Sequence, residues 1–136
     1  MDDTPLLIKD YRHWVLHLNA DQGHLGRMLL AARREDAVDF LDMTSDEREG
    51  FFQAGLEARR ALDALFRPDL FNYASLGNAW RHLHVHLVPR YREPRVFLGL
   101  TFTDDRWGRN FGSRPGGPQL GPEQLQAIAA AIRSCL

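Results

Sequence analysis

The histidines of this chain are concentrated in one short segment, and their spacing constrains how that segment can fold. Three of the six histidines occupy every second position of residues 82–86, and aliphatic side chains fill the positions between them. In a β-strand, successive side chains point to opposite faces, so same-face neighbours lie roughly 6–7 Å apart. The pattern therefore predicts a strand over residues 82–88, with its aliphatic face on a core and its three imidazoles grouped on the other face.

The histidine face has three possible interpretations on residue chemistry alone. It could be a solvated polar face, although serine, threonine and lysine are more common in that role. It could offer ligands to zinc, although ligands two residues apart on one strand diverge, whereas a tetrahedral site favours ligands from separate elements. It could also supply a nucleophile, because an imidazole nitrogen can attack phosphorus while a neighbouring histidine fixes its tautomer or hydrogen-bonds a phosphate oxygen.

Four further segments predict strands of the same sheet. Residues 14–18 alternate between apolar and other side chains, and residues 26–32 form a mainly apolar run. Residues 71–76 precede the histidine strand and are separated from it by the turn residues Gly77-Asn78. Residues 96–102 predict one more strand after it.

Two helices complete the expected fold. Thr44 and Glu47 have the spacing of a capping box, so we expect a helix over residues 45–66, ended by Pro68. A last helix should begin at Pro122. The order of strands, helix, strands and helix is typical of an α+β domain with an antiparallel sheet. The apolar stripe of the first helix consists of Phe51, Ala54, Ala58, Ala61, Leu62 and Leu65.

Composition excludes several classes of protein. The 136 residues fit one domain, residues 1–136. With 17 basic and 18 acidic residues, the net charge of −1 argues against duplex nucleic acid as a partner. Cys135 is the only cysteine, which rules out an internal disulfide or a cysteine-rich zinc site. No apolar run approaches a membrane span and the N-terminus is acidic, so we expect a cytoplasmic protein without a membrane partner.

The histidine run resembles the signature of the histidine triad (HIT) family. Residues 82–88 follow the pattern His-φ-His-φ-His-φ-φ, where φ is hydrophobic, and continue into Pro89-Arg90 as in many members. The preceding residues 72–78, with their asparagine and glycine, are similar to the lead-in strand and turn of the family. The capped helix at residues 45–66 lies at the distance upstream that the family shows. The resemblance spans most of residues 10–108 and is to the bacterial branch that is diadenosine-tetraphosphate-hydrolase-like.

This resemblance implies a fold and a reaction. The fold would be HIT-like, with an antiparallel sheet of about five strands and two main helices. The reaction would be hydrolysis or transfer at the α-phosphate of a purine nucleotide through a covalent nucleotidyl-histidine. The substrate would be a dinucleoside polyphosphate, a phosphoramidate or an adenylate. The alternative is a nucleotide-binding module with little or no catalysis. The resemblance also implies a homodimer, and we expect no cofactor and no metal.

Roles transfer from the family by position. His84 would be the nucleophile, His86 would contact the phosphate and assist the leaving group, and His82 would orient His84. Asn78 stands where many members carry glutamine. Asparagine keeps the side-chain amide but has a shorter reach than glutamine. The residues expected to bind substrate are Asn72, Gly77, Asn78 and Asn19.

The sequence departs from the family pattern at two positions near the expected site. Many members have a histidine after the glycine that matches Gly26, and another near position 35. This chain has Arg27 and Glu35 at these positions. With the triad itself intact, these departures concern the substrate rather than the chemistry.

Other polar residues receive structural interpretations. We expect His13 and His17 to be surface or core residues and His24 to be a turn residue.

The charged residues after the histidine run receive similar interpretations. A solvated strand edge is expected for Arg90, Arg92 and Arg95. A turn within the irregular loop 104–121 is expected for Asp104 and Asp105.

Overall fold

Five strands form one antiparallel sheet in the computed structural model, which describes residues 5–112 and 117–136. The order across the sheet is β1-β2-β3-β5-β4, so β5, which carries the histidines, lies between β3 and the edge strand β4. A short hairpin, β6 and β7, follows. The α+β fold predicted from the sequence, with its antiparallel sheet and two helices, is confirmed. The strands are β1 (Leu6–Asp10), β2 (Trp14–Leu18), β3 (Met28–Ala32), β4 (Leu70–Ala74), β5 (His84–Arg90), β6 (Arg95–Phe97) and β7 (Leu100–Phe102), and the helices are α1 (Ser45–Phe66) and α2 (Pro122–Arg133), with a 3-10 turn at Phe40–Asp42.

One face of the sheet carries the core. Alternation along the strands directs one set of apolar side chains toward α1, which contributes a stripe of small and aliphatic residues. Burying this apolar area is the main driving force for the fold. The buried set includes Trp14, Leu16, Met28, Leu30, Val85 and Leu87 from the sheet and Ala54, Ala58, Ala61 and Leu62 from α1.

The start of α1 is set by the predicted capping box. The Thr44 hydroxyl accepts a hydrogen bond from the Glu47 amide at 3.1 Å, and the Glu47 carboxylate accepts one from the Thr44 amide at 2.8 Å. Arg34 also donates two hydrogen bonds to the Glu47 carboxylate, at 3.0 and 3.1 Å. The last helical residue is Phe66, and Arg67 follows it as the C-cap with a left-handed φ of 49°, just before Pro68.

The strand predictions differ from the structure in three respects: one strand was missed, one is a hairpin, and one begins later. β1 was not predicted, because its residues do not alternate and its pairing with β2 is interrupted by a register shift between Leu7 and Lys9. The single strand expected over residues 96–102 is instead the β6–β7 hairpin, turning at Leu98 (φ 55°) and Gly99 (φ 72°). The histidine strand begins at His84 rather than at His82.

None of the helices in residues 5–112 and 117–136 combines the length and apolar character that a membrane span requires.

The other face of the sheet holds the histidines. Residues 104–112 form no helix or strand, as expected for the irregular loop, and cover part of this face. Residues 113–116 of that predicted loop lie outside the described residues.

Candidate active site

The register of β5 places two of the three histidines on one face. His84 pairs with Ala31 and His86 with Leu29 of β3, and paired residues in an antiparallel sheet point to the same side. The two imidazole centroids lie 5.1 Å apart in an edge-to-face arrangement. The prediction that His82 shares this face by alternation is wrong, because His82 precedes the strand. It reaches the site instead from the loop, with its Nε2 donating to the Ala32 carbonyl at 2.5 Å.

The surroundings of His84 select one tautomer of its ring. Its Nδ1 lies 2.7 Å from the carbonyl oxygen of His82. A carbonyl oxygen can only accept, so Nδ1 carries the proton and Nε2 of the neutral ring keeps its lone pair. The side chain is otherwise buried, with only 7% of the residue exposed. The neutral ring of His84 therefore has its free lone pair on Nε2, and the backbone of His82 orients the ring.

Trp80 is a site residue that the sequence interpretation missed. Its ring stacks on the His84 imidazole at a centroid distance of 4.5 Å and on the His82 imidazole at 5.3 Å. The ring is half exposed, so it covers the two histidines from the solvent side. The sequence signal for it was a large aromatic residue two positions before the first histidine of the run.

His86 is the histidine most affected by its environment. Burial, followed by the positive charge of Arg27 and then by His84, lowers its pKa from 6.5 to about 4. Its Nδ1 is buried without a hydrogen-bond partner in the described part of the chain. The Phe111 ring lies 6.3 Å from the imidazole. His86 is therefore a neutral imidazole near pH 7 in the unliganded protein.

Arg27, one of the two departures from the family pattern, belongs to this site. It immediately precedes β3, and its carbonyl accepts from the Asn19 amide at 3.0 Å, which continues the β2–β3 pairing by one residue. Alternation therefore directs its side chain to the same face as Leu29 and His86. The guanidinium lies 5.1 Å from the Phe111 ring centroid, and its Nη1 donates to the Gly112 carbonyl at 3.2 Å. Only 7% of the residue is exposed. The second departure, Glu35, is exposed and makes no hydrogen bond or ion pair with the three histidines among the described residues.

His24 joins the loop of residues 104–112, the C-terminal loop, to the turn that precedes Arg27. The Gly112 amide donates to His24 Nε2 at 3.2 Å, so the neutral ring carries its proton on Nδ1, 3.5 Å from Asp104 Oδ2. Both groups are fully buried, and burial lowers the pKa of His24 although Asp104 opposes this. Gly112 is thus held through its amide by His24 and through its carbonyl by Arg27.

Arg90 is a buried structural residue, which corrects the expectation of a solvated strand edge. It is 3% exposed, and its five N–H groups donate to Asp104, Asn72 and the carbonyls of Arg106 and Arg109. The Asn72 side-chain oxygen accepts one of these bonds at 2.8 Å. Arg90 therefore orients the Asn72 side chain, whose amide N–H groups make no hydrogen bond among the described residues and can donate to a ligand.

The remaining predicted binding residues, Asn19, Gly77 and Asn78, make no hydrogen bond to the three histidines among the described residues. The Asn19 side chain accepts from the Asp21 amide at 2.9 Å, which closes a turn just beyond β2. Gly77 has a φ of 65°, which favours glycine, and Asn78 next to it is exposed. The predicted hairpin turn is in fact part of a longer connection from β4 to β5.

A groove of about 750 Å³ opens beside the site, along the edge strand β4 and the C-terminal loop. Asn72 and Phe111 line it, and both neighbour the histidine face. Within residues 5–112 and 117–136, no group of three or more metal-ligating side chains is arranged to hold a metal ion. The groove is lined by Leu70, Phe71, Asn72, Tyr73, Leu76, Arg90, Trp107, Gly108, Arg109, Asn110 and Phe111.

Comparisons with known proteins agree with this geometry. A histidine triad protein from Sinorhizobium meliloti superposes with a TM-score of 0.80 at 19% identity, covering 97% of this chain and 90% of that chain. A histidine triad protein from Bradyrhizobium japonicum has a TM-score of 0.72 at 23% identity, covering 96% of this chain and 90% of that chain. A hypothetical histidine triad nucleotide-binding protein from Sulfolobus tokodaii has a TM-score of 0.72 at 15% identity, covering 97% of this chain and 83% of that chain. These similarities establish the fold.

Sequence comparison assigns the family. No curated protein sequence matches the chain. A sequence profile described as the HIT domain matches residues 7–93, which is more than half of the chain and includes the whole histidine run. The chain therefore belongs to the HIT domain family.

Proposed function

We propose that this protein is a nucleotide hydrolase or transferase that acts at the α-phosphate of a purine nucleotide, with His84 as the nucleophile. The observation that carries the proposal is the hydrogen bond from His84 Nδ1 to the His82 carbonyl, which in the neutral ring places the free lone pair on Nε2 for attack. The resemblance to diadenosine-tetraphosphate-hydrolase-like members of the family supports the same choice of substrate.

The reaction has two steps. The Nε2 lone pair attacks the α-phosphorus, a P–N bond forms, and the bond to the leaving group breaks with its electron pair. Water then attacks the same phosphorus and loses a proton, the P–N bond breaks, and His84 regains its lone pair. His86, 5.1 Å from His84, contacts the phosphate during both steps. In a transferase reaction, another nucleophile takes the place of water.

The test is the His84→Ala variant, with His13→Ala as a control that removes an imidazole outside the site. We expect His84→Ala to bind adenine nucleotides and to lose both turnover and the nucleotidyl adduct detected by mass spectrometry of acid-quenched protein. The control should retain both. Full activity in His84→Ala would contradict the mechanism. Nucleotide binding by the wild type without product over a long incubation would select the binding-module alternative.

We also propose that the functional unit is a homodimer that joins two sheets at β4. This strand is an edge of the sheet, so its outer backbone groups can pair with a second copy. An apolar groove of about 570 Å³ lies between β4 and α1, and Phe52 and Tyr73 on its rim are 70% and 52% exposed. A two-fold axis would bring the same groove of both copies together.

A further inference from the structure

Two arginines are buried on the histidine face, and they differ in how their donors are used. Arg90 donates five hydrogen bonds, two of them to the Asp104 carboxylate. Arg27 donates one, to the Gly112 carbonyl. Among the described residues, no carboxylate lies within ion-pair distance of Arg27, and Asp21 acts on it only at longer range. A guanidinium has five N–H groups, so Arg27 retains four without an acceptor among the described residues.

The buried position of Arg27 makes its unpaired Nε–H group costly. Its Nε is fully buried and has no hydrogen-bond partner in the described part of the chain, and burial lowers the pKa of the guanidinium. A buried charge normally has an ionic partner, because desolvation without one is strongly unfavourable. Arg27 has instead the Phe111 ring on one side and His86 nearby. An anion at this position would supply the missing acceptor.

The location of Arg27 indicates which part of a substrate it would meet. Along the face, Ala31 pairs with His84, Leu29 pairs with His86, and Arg27 stands two residues beyond Leu29. The order on the face is therefore His84, His86, Arg27. In a displacement at phosphorus, the leaving group departs opposite the attacking atom. With His84 as nucleophile, a leaving group that moves away along the face passes His86 and reaches Arg27.

We propose that Arg27 binds the leaving group as an oxyanion, so that the substrate is an anhydride of a nucleoside phosphate rather than a phosphoramidate. In an anhydride, the breaking P–O bond leaves its electron pair on a phosphate or carboxylate oxygen, and that negative charge develops beside Arg27. In a phosphoramidate, the breaking P–N bond leaves an amine that needs a proton. This inference rests on the proposed function, because it takes His84 as the nucleophile.

The state of His86 supports the same substrate class. Its lowered pKa leaves it neutral near pH 7 in the unliganded protein, so it holds no extra proton for an amine. An oxyanion leaving group needs positive charge rather than a proton, and Arg27 carries that charge at every physiological pH. The two residues together therefore favour an anhydride.

The experiment compares three substrates of the same nucleoside in the wild type and in Arg27→Gln. The substrates are diadenosine tetraphosphate, an aminoacyl-adenylate and an adenosine phosphoramidate of a simple amine. We expect the wild type to favour one of the anhydrides. In Arg27→Gln, kcat/KM for that anhydride should fall about tenfold or more, as for loss of a charged hydrogen bond, with less than a threefold change for the phosphoramidate. If Arg27→Gln lowers kcat/KM more for diadenosine tetraphosphate than for the aminoacyl-adenylate, the leaving group is a phosphate. If it lowers kcat/KM more for the aminoacyl-adenylate, the leaving group is a carboxylate.

Two control variants separate charge from structure. Arg60→Gln makes the same change on the exposed surface of α1 and should leave all three rates unchanged. Arg27→Lys keeps the charge and should recover part of the anhydride rate. Equal losses on all substrates in Arg27→Gln, or a wild type that prefers the phosphoramidate, would overturn the inference.

A binding measurement separates this inference from the proposed function. If the wild type hydrolyses none of the three substrates, the proposed function fails. The role of Arg27 is then decided by calorimetric binding of ADP and AMP. We expect Arg27→Gln to weaken ADP binding about tenfold and AMP binding much less, because only ADP has the additional phosphate. Equal effects on the two nucleotides would overturn the anion-binding role of Arg27.

Discussion

The Asp104 carboxylate accepts hydrogen bonds from Arg90 Nε at 2.7 Å and from Arg90 Nη2 at 3.2 Å, and both side chains are buried. The backbone amides of Tyr91 and Arg106 also donate to this carboxylate, at 3.2 and 3.1 Å. Burial alone would raise the pKa of Asp104, but the hydrogen bonds from Arg90 and the two amides lower it. The pair joins β5 to the C-terminal loop that covers the site.

Replacing Asp104 should therefore be strongly destabilising. Asp104→Asn keeps the shape but leaves the buried Arg90 charge without compensation, so we expect a loss of about 3 kcal/mol in the free energy of unfolding. Urea denaturation measures it. Asp63→Asn, an exposed change on α1, should cost less than about 0.5 kcal/mol. Similar losses in the two variants would show that the Arg90–Asp104 pair contributes little.

The environment of His86 predicts a pH dependence of stability. Its pKa is about 4 in the folded protein against an ordinary value of 6.5, so the unfolded chain takes up the proton first as the pH falls. Stability from this residue is fully present above pH 6.5 and is lost between pH 6.5 and pH 4. We expect His86→Asn to reduce the difference in unfolding free energy between pH 7.5 and pH 5.

Part of that pH dependence should persist in His86→Asn. Burial also lowers the pKa of His17 and of His24, so these residues act in the same direction. A pH dependence unchanged by His86→Asn would contradict the role assigned to Arg27 and burial.

The capping box of α1 predicts a moderate and specific loss. Thr44→Ala removes the hydroxyl that accepts from the Glu47 amide, which should cost about 1 kcal/mol of unfolding free energy. Thr44→Ser keeps the oxygen and should cost much less. Equal losses in thermal or urea unfolding would indicate that the methyl group, rather than the cap, matters.

The stacking of Trp80 on His84 and His82 predicts an effect on catalysis more than on stability. Trp80→Ala frees the His84 ring to leave its reactive orientation, so we expect kcat to fall about tenfold or more. The unfolding free energy should change little, because the side chain is 50% exposed. Trp80→Phe keeps a ring on the imidazoles and should retain most of the rate. A change in KM alone would instead indicate a role in substrate binding.

The proposed dimer predicts that a charge in the β4–α1 groove separates the copies. Phe52→Glu places a carboxylate on the apolar rim, which two-fold pairing would bury. Light scattering after size-exclusion chromatography should show a dimer for the wild type and a monomer for the variant. Val96→Glu, at another exposed apolar position, should remain dimeric. A monomeric wild type would refute the dimer.

Sequence reasoning identified the elements that have strong local signals. The capping box located α1, and the aliphatic residues between the histidines located the buried face of β5. It failed where pairing partners decide the structure. β1 is held by its pairing with β2, and the β6–β7 turn has Leu98 at a positive φ, where asparagine, aspartate or glycine usually marks a hairpin.

The site was predicted less completely than the fold. A motif indicates which residues share a strand, but not which donors are already occupied. Asn72 and Arg90 are neighbours in space only because β4 pairs with β5, and this contact orients the Asn72 side-chain amide. Trp80 and Phe111 reach the histidines from loops, whose conformation depends on distant contacts. Arg27 was visible as a departure, whereas its burial was not.

The attachment of the C-terminal loop at Gly112 has a consequence for how related proteins could diversify. Two backbone hydrogen bonds of Gly112 hold the loop next to Arg27: its amide donates to His24, and its carbonyl accepts from Arg27. Side chains at the neighbouring exposed positions, such as Arg109 and Asn110, take no part in that attachment. They could change over evolution, and with them the molecules that the groove admits, while the wall of the site stays in place.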